Sequence, residues 1–188
     1  MRTLSMFVIC VLSAQSVSAE EYETTLLFEQ GAWVVEHVYD TNDDSAGCIA
    51  STANDRGQEL GAIVSENGRM IFGVYDPIWS LSEREVQFRI DVDYDRWDVW
   101  GTASQDRVLV TPNNAEEALD FLADLAKGSA VALYNERGVE LGNFSLHGSE
   151  AAIRSFLECF QRISKQESAS TDPFGPTEAS STGGKDPF

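Results

Sequence analysis

Short alternations of apolar and polar residues dominate the middle of this chain. The clearest runs through residues 85–92, where Val86, Phe88, Ile90 and Val92 alternate with polar residues. Successive side chains of a strand point to opposite faces, so this pattern predicts one buried and one solvated face. Further short strands separated by turn residues are predicted at residues 33–39, 48–53, 59–65, 69–75, 97–103, 107–110, 129–134 and 139–146. Repeated hairpins predict an antiparallel sheet.

Two later segments have helical spacing instead. Asn114 can cap a helix with Glu117 three residues on, and Lys127 and Gly128 mark its end. Its predicted buried stripe comprises Ala115, Ala118, Leu119, Leu122, Leu125 and Ala126. A second helix follows Ser149 and carries Ile153, Phe156, Leu157, Phe160 and Ile163 on one face. The sequence therefore predicts an α+β fold, an antiparallel β-sheet or sandwich of short strands with two packed helices.

The first nineteen residues have the pattern of a signal peptide. Arg2 supplies a positive start, residues 6–12 an apolar core, and Val17-Ser18-Ala19 the small residues of a cleavage site. The apolar core is shorter than the roughly 20 residues that span a bilayer. We expect export to the periplasm or secretion, cleavage after Ala19, and no membrane insertion.

The composition changes again near residue 164. Residues 165–188 contain no Leu, Ile, Val, Met, Trp or Tyr and are rich in Ser, Thr, Pro and Gly. Such a segment buries too little surface to offset its ordering entropy. We expect a single domain over residues 20–164 and a disordered tail over 165–188.

Two cysteines, Cys48 and Cys159, remain after removal of the leader. In an oxidising compartment an isolated pair predicts a disulfide. The alternative is a nucleophilic thiol with His37 or His147 as its base. An exported reactive thiol is readily oxidised, which favours the disulfide.

The charge of the chain restricts its partners. With 31 acidic and 13 basic residues the formal net charge is −18, and loss of Arg2 makes the mature protein one unit more negative. This disfavours nucleic acid and favours a protein or peptide partner, cationic in the simplest case. The alternative is that the charge serves only to keep the protein soluble. No phosphate loop or clustered His/Cys set is present, so we expect no cofactor.

An acidic run resembles the start of a calcium loop. Asp91, Asp93 and Asp95 occupy positions one, three and five of such a loop. Arg96 then stands where glycine is needed, and Thr102 where a bidentate glutamate is needed. The run therefore predicts a solvated hairpin turn and no metal site.

Aromatic residues are the candidate contact residues. Trp79, Tyr94 and Trp100 fall in the central hairpin region, and alternation places Trp100 outward if Trp97 points inward. Trp is enriched at interface hot spots. Alternatively, these aromatics pack beneath the helices.

The tail carries two further candidates, Phe174 and Phe188. Each ends an Asp-Pro-Phe tripeptide, at residues 172–174 and 186–188. Aromatic anchors in a disordered segment can present a short linear ligand. The alternative is a chance repeat in a segment of biased composition.

The framework resembles a group of small exported proteins of Gram-negative bacteria, most of them uncharacterised. More distantly, it is similar to the invasion-associated locus B proteins. The resemblance rests on Trp33, Cys48, residues 73–79, Val92-Asp93, Trp97, Phe121-Leu122, Gly128, residues 145–153 and Cys159. It implies the fold and the exported location, and implies no activity.

Two functions stay open at this stage. The first is an exported, non-enzymatic protein-binding or accessory module of the bacterial envelope. The second is a small carboxylate-dependent hydrolase of the periplasm, although no spacing singles out a pair of carboxylates. We expect the first.

Overall fold

The computed structural model describes residues 22–170, with side chains through residue 165. The predicted signal peptide, Phe174 and Phe188 lie outside these residues. The elements are β1 (Tyr22–Gln30), β2 (Trp33–Asp40), β3 (Ser45–Ala53), β4 (Glu59–Ser65), β5 (Met70–Tyr75), β6 (Leu81–Val92), β7 (Asp95–Gln105), β8 (Arg107–Val110), α1 (Ala115–Lys127), β9 (Ala130–Asn135), β10 (Glu140–Ser145) and α2 (Ser149–Ser170).

The described strands form one antiparallel sheet. It has ten strands in the order β1-β2-β3-β4-β5-β8-β7-β6-β9-β10. The predicted α+β fold with an antiparallel sheet and two helices is therefore confirmed, and the sheet is single rather than a sandwich. Within the described residues, no helix is both long and apolar enough to cross a membrane.

The β6–β7 hairpin follows the alternation in the sequence. Phe88, Ile90 and Val92 are buried, and the polar residues between them are partly exposed. Between the strands, Asp93 has a φ of 49°, and its carboxyl group accepts hydrogen bonds from the backbone N–H groups of Ser129 (2.9 Å) and Ala130 (3.1 Å). The acidic run is thus a hairpin turn fastened to the start of β9.

Helix α1 begins as the sequence predicts but is rotated relative to the predicted stripe. Asn114 caps it and accepts a hydrogen bond from the Glu117 N–H at 2.9 Å. Phe121 is buried, whereas Leu119 is 51% exposed, so the inclusion of Leu119 in the buried stripe was wrong. The Phe121 ring meets Phe72 edge-on with centroids 4.7 Å apart. We attribute the rotation to these aromatic contacts, which apolar spacing alone does not specify.

Helix α2 lies on the first strands of the sheet and is joined to them covalently. Cys159 forms a disulfide with Cys48 of β3, with Cα atoms 6.1 Å apart, and both residues are buried. The predicted pairing is confirmed. The alternative of a nucleophilic thiol is wrong, because the two sulfur atoms are bonded to each other.

The structure departs from the predicted elements at two places. Strand β1 was not predicted, because its apolar residues do not alternate regularly with polar ones. In the structure Leu26 is exposed, and the pairing register shifts between Leu26 and Phe28. Helix α2 continues past residue 164 to Ser170, six residues beyond the predicted boundary between domain and tail. A helix already fixed by packing extends at little cost, because each further residue adds one backbone hydrogen bond.

The sheet curls so that its last strand approaches the β3–β4 turn. The Asn54 side chain in that turn donates a hydrogen bond to the Asn143 carbonyl of β10 at 3.0 Å. Both helices supply buried residues to one end of the concave face, which we call the closed end. No helix residue lines the cavity at the other end, which we call the mouth.

Candidate binding site

A cavity of about 520 Å³ opens at the mouth. We call it the mouth pocket. Its floor consists of core side chains that neither helix covers, and its wall includes Trp79. The apolar lining residues are Val74, Trp79, Leu81, Val86, Phe88, Ala103, Val108, Leu133 and Leu141. Binding sites for small molecules and side chains are typically cavities of roughly 300–1,000 Å³ with such a lining.

A buried polar network holds one wall of the mouth pocket in place. The Gln58 side-chain amide donates to a carboxyl oxygen of Asp76 at 2.6 Å and to the Leu141 carbonyl at 2.9 Å. The Gln58 side-chain carbonyl accepts from Asn54 at 2.7 Å. A Cβ atom on Gly142 would lie 2.8 Å from that Gln58 oxygen, so the glycine makes room for it. Gln58 therefore joins the β3–β4 turn to β10 and closes the curl.

Asp76 also positions the only tryptophan of the mouth pocket. Its second carboxyl oxygen accepts from the Ile78 N–H at 3.0 Å, and its backbone carbonyl accepts from the Trp79 N–H at 3.0 Å. These bonds fold residues 76–79 into a turn. The half-buried indole of Trp79 is thereby held against the pocket.

Strand β6 presents an unpaired edge to the mouth pocket. Its five consecutive residues 84–88 all line the cavity. Strand β9 pairs only with residues 88–92 of β6, ending at the pair Phe88–Asn135. Within the described residues, the preceding part of β6 has a neighbour, β7, on one side only.

Charged side chains of both signs form the rim. Arg84 and Glu85 come from β6, and Glu136 and Arg137 from the β9–β10 turn. The Arg84 guanidinium donates to the backbone and hydroxyl oxygens of Ser82 at 3.1 and 3.2 Å. Ion pairs in the described part of the chain involve neither rim arginine. Both guanidiniums are therefore available to an acidic group.

Shifted pKa values occur outside the lining of the mouth pocket. The hydrogen bond from Arg107 at 2.8 Å lowers the pKa of Asp106, and the same bond raises the pKa of Arg107. At the opposite edge of the sheet, a hydrogen bond to Asp44 raises the pKa of Tyr39. These pairs are exposed, so they serve local structure and suggest no acid–base catalyst.

The structure separates the aromatic residues predicted to bind. Trp79 lines the mouth pocket, Tyr94 is fully exposed in the β6–β7 turn, and Trp100 is 62% exposed on the convex face. Trp97 points inward, the condition under which Trp100 was placed outward, and donates through Nε1 to an Asp124 carboxyl oxygen at 3.1 Å. Of the predicted residues within the described part, Trp79 alone belongs to the pocket.

Two other surfaces of the domain also expose apolar side chains. A groove of about 880 Å³ runs between α1 and α2 and includes the exposed Leu119. The convex face carries exposed Ile63, Leu109 and Trp100 on separate strands. Core residues also line the groove, so the feature that distinguishes the mouth pocket is the unpaired strand edge beside it.

The described residues contain no group of three or more His, Cys, Asp or Glu side chains that could hold a metal ion. The chain matches no protein-family model, no curated protein and no solved structure.

Sequence reasoning missed most of the site. Gln58 and Asp76 stand in turns, where polar residues are ordinary, and nothing in their spacing indicates that both are buried. Arg84 and Arg137 lie far apart in the chain, and only the curl of the sheet brings them to one rim. The one available signal was the aromatic Trp79 in a turn next to a strand.

Proposed function

We propose that this protein is an exported, non-enzymatic binding module of the bacterial envelope. Its mouth pocket receives an apolar side chain of a protein or peptide partner. The observation that carries the proposal is the 520 Å³ cavity floored by core residues and left uncovered by both helices.

The rim supports a peptide as the class of partner. Two arginines and two glutamates surround the apolar floor, in a chain whose formal net charge is −18. This local balance of charges accommodates a segment carrying both signs, with an apolar anchor entering the pocket. The charge of the whole chain disfavours nucleic acid.

The disulfide supports export. Cys48 and Cys159 are joined across the domain, and such bonds persist in oxidising compartments. The signal peptide expected at residues 1–19 agrees with that location. Periplasm or secretion is therefore the proposed location.

Site-specific photocrosslinking in cells tests the proposal. A benzophenone amino acid at the rim residue Glu136 should give one adduct with an envelope protein. Val86→Asp in the same chain should abolish that adduct, because it places a charge at the apolar floor. The matched control carries the crosslinker at Leu119, exposed in the groove between the helices. An adduct that survives Val86→Asp, or that forms equally from residue 119, would contradict the proposal.

One observation favours the hydrolase as a second candidate. Glu85 and Glu136 are both among the residues that line the mouth pocket, so its rim includes two carboxylate-bearing residues. A pair of this kind is the minimum for glycoside hydrolysis. Turnover of an envelope glycan that is lost in both Glu85→Gln and Glu136→Gln would support the hydrolase. Absence of turnover alongside a partner adduct supports the binding module.

A further inference from the structure

We propose that residues 186–188 of this same chain, Asp-Pro-Phe, occupy the mouth pocket as a short strand added to β6. The tail then acts as a tethered competitor of the partner. This inference rests on the proposed function, because it assumes that the mouth pocket is the binding site.

The unpaired edge of β6 supplies the backbone groups for an added strand. The register between β6 and β7 shifts between Leu81 and Arg84, so the regular free edge runs over residues 84–87. On a strand edge, alternate residues direct their N–H and C=O groups away from the paired neighbour. Four residues at about 3.3 Å each give an edge of roughly 13 Å, enough for a tripeptide.

The spacing of the residues that share one face of β6 matches the spacing of the first and last residues of the tripeptide. Arg84, Val86 and Phe88 are alternate residues of β6, so they share a face. Asp186 and Phe188 are likewise two residues apart. When Phe188 lies beside Val86, one strand direction places Asp186 beside Arg84 at the rim. The opposite direction is blocked, because Asn135 of β9 is already paired with Phe88.

Charge and shape complementarity support this occupant. The apolar floor with Trp79 suits a phenylalanine ring, and the two rim guanidiniums have no ion pair within the described residues. An Asp carboxylate two residues from the ring satisfies one of them. Proline between the two is compatible with an added strand when its nitrogen faces away from β6.

The length of chain between Ser170 and each Asp-Pro-Phe tripeptide distinguishes the two as occupants of the mouth pocket. Phe160 of α2 lies near Gly68 in the β4–β5 turn, whereas the other end of β5, at Val74, lines the mouth pocket. Strand β5 spans about 20 Å at 3.3 Å per residue. At 3.3–3.6 Å per residue, residues 171–188 reach about 60 Å beyond Ser170, but residues 171–174 reach only about 14 Å. The second tripeptide therefore reaches the mouth pocket even when the helix between Phe160 and Ser170, about 15 Å long, leads away from it. The reach of the first tripeptide is shorter than β5 alone.

Amide hydrogen exchange in the full-length chain tests the proposal. Phe188→Ala should accelerate the exchange of alternate amides in residues 84–87 by about tenfold. Phe174→Ala is the matched control and should leave them unchanged. Adding the synthetic peptide of residues 182–188 at millimolar concentration, the range a short flexible linker supplies, should restore protection in Phe188→Ala.

Three outcomes would overturn the proposal. Equal exchange in the wild type and Phe188→Ala would mean that the tail does not occupy the site. Faster exchange of all the amides in residues 84–87, and not only of alternate ones, would exclude strand addition. Protection that rises with protein concentration would mean that a second copy supplies the tail.

Measuring the partner adduct in the same variants distinguishes failure of this inference from failure of the proposed function. If the Glu136 adduct forms and Phe188→Ala does not increase its yield, the binding module stands and the tethered competitor fails. If protection by the tail is present but no adduct forms in either background, the tail docks and the proposed function fails.

Discussion

The two ends of the concave face use the same sheet differently. At the closed end, Phe156 is fully buried, α2 is bonded to β3 through Cys48 and Cys159, and Phe121 joins an aromatic cluster. At the mouth, comparable core residues form the floor of an open cavity whose wall is held by one polar network around Gln58. The difference indicates that the closed end supplies stability, and the mouth is the surface that we propose for a partner.

The largest expected effect is at the closed end. Phe156→Ala should lower the free energy of unfolding by about 3–5 kcal/mol, because it removes a fully buried ring and leaves a cavity. The matched truncation at the mouth, Leu141→Ala, should cost about 1–2 kcal/mol because that side chain already meets the cavity. Urea unfolding measures both. Equal losses would remove the distinction between the two ends.

The disulfide should come next. Replacing both Cys48 and Cys159 by serine should lower the free energy of unfolding by about 2–4 kcal/mol, because the crosslink restricts the unfolded chain. The Glu136 adduct should persist at temperatures where the variant stays folded. Two free thiols in native protein isolated from the envelope would show that the bond does not form in the cell.

The polar network should have an intermediate effect. Gln58→Ala should lower the free energy of unfolding by about 1.5–3 kcal/mol, because it leaves the buried Asp76 carboxyl group without its closest donor. Gln87→Ala removes a partly exposed glutamine from the same cavity and should change the stability by less than about 0.5 kcal/mol. An unchanged free energy of unfolding in Gln58→Ala would mean that the network does not hold the wall of the mouth pocket.

Elements with a local signal in the sequence could be predicted, and elements that depend on distant pairing could not. The alternation around Phe88 and the Asn114 cap are local signals, and both predicted their elements. The pairing of Cys48 with Cys159 followed from these being the two cysteines that remain once the expected signal peptide is removed. By contrast, β1 depends on pairing with β2 and carries an irregularity at residues 26–28, so its own pattern was unreadable.

The site was less accessible to sequence reasoning, for a physical reason. The wall of the mouth pocket depends on hydrogen bonds that join the β3–β4 turn to β10, from Asn54 to Asn143 and from Gln58 to Leu141. No local pattern specifies these contacts. Predicted contact residues were chosen by chemistry alone, so Trp79, Tyr94 and Trp100 were grouped although the sheet places them on three different surfaces. Binding by Tyr94 and Trp100 stays a prediction.

The smallest expected effect on stability is at the rim. Arg137→Gln should change the free energy of unfolding by less than about 0.5 kcal/mol, since this exposed side chain forms no ion pair among the described residues. It should nevertheless reduce the yield of the Glu136 adduct, because it removes a charge that the partner meets. Unfolding in urea and quantitative crosslinking measure the two effects. Loss of stability without loss of the adduct would assign Arg137 a structural role.

The central claim, that the mouth and not the closed end binds the partner, is tested most directly by affinity. The partner identified by crosslinking is purified, and its Kd is measured for the wild type, for Val86→Asp at the floor, and for Leu119→Asp in the groove between α1 and α2. The account predicts that Val86→Asp weakens binding by about 30-fold or more, the size of an interface hot spot. It predicts less than about a twofold change for Leu119→Asp. A Kd that rises for Leu119→Asp and stays unchanged for Val86→Asp would contradict it.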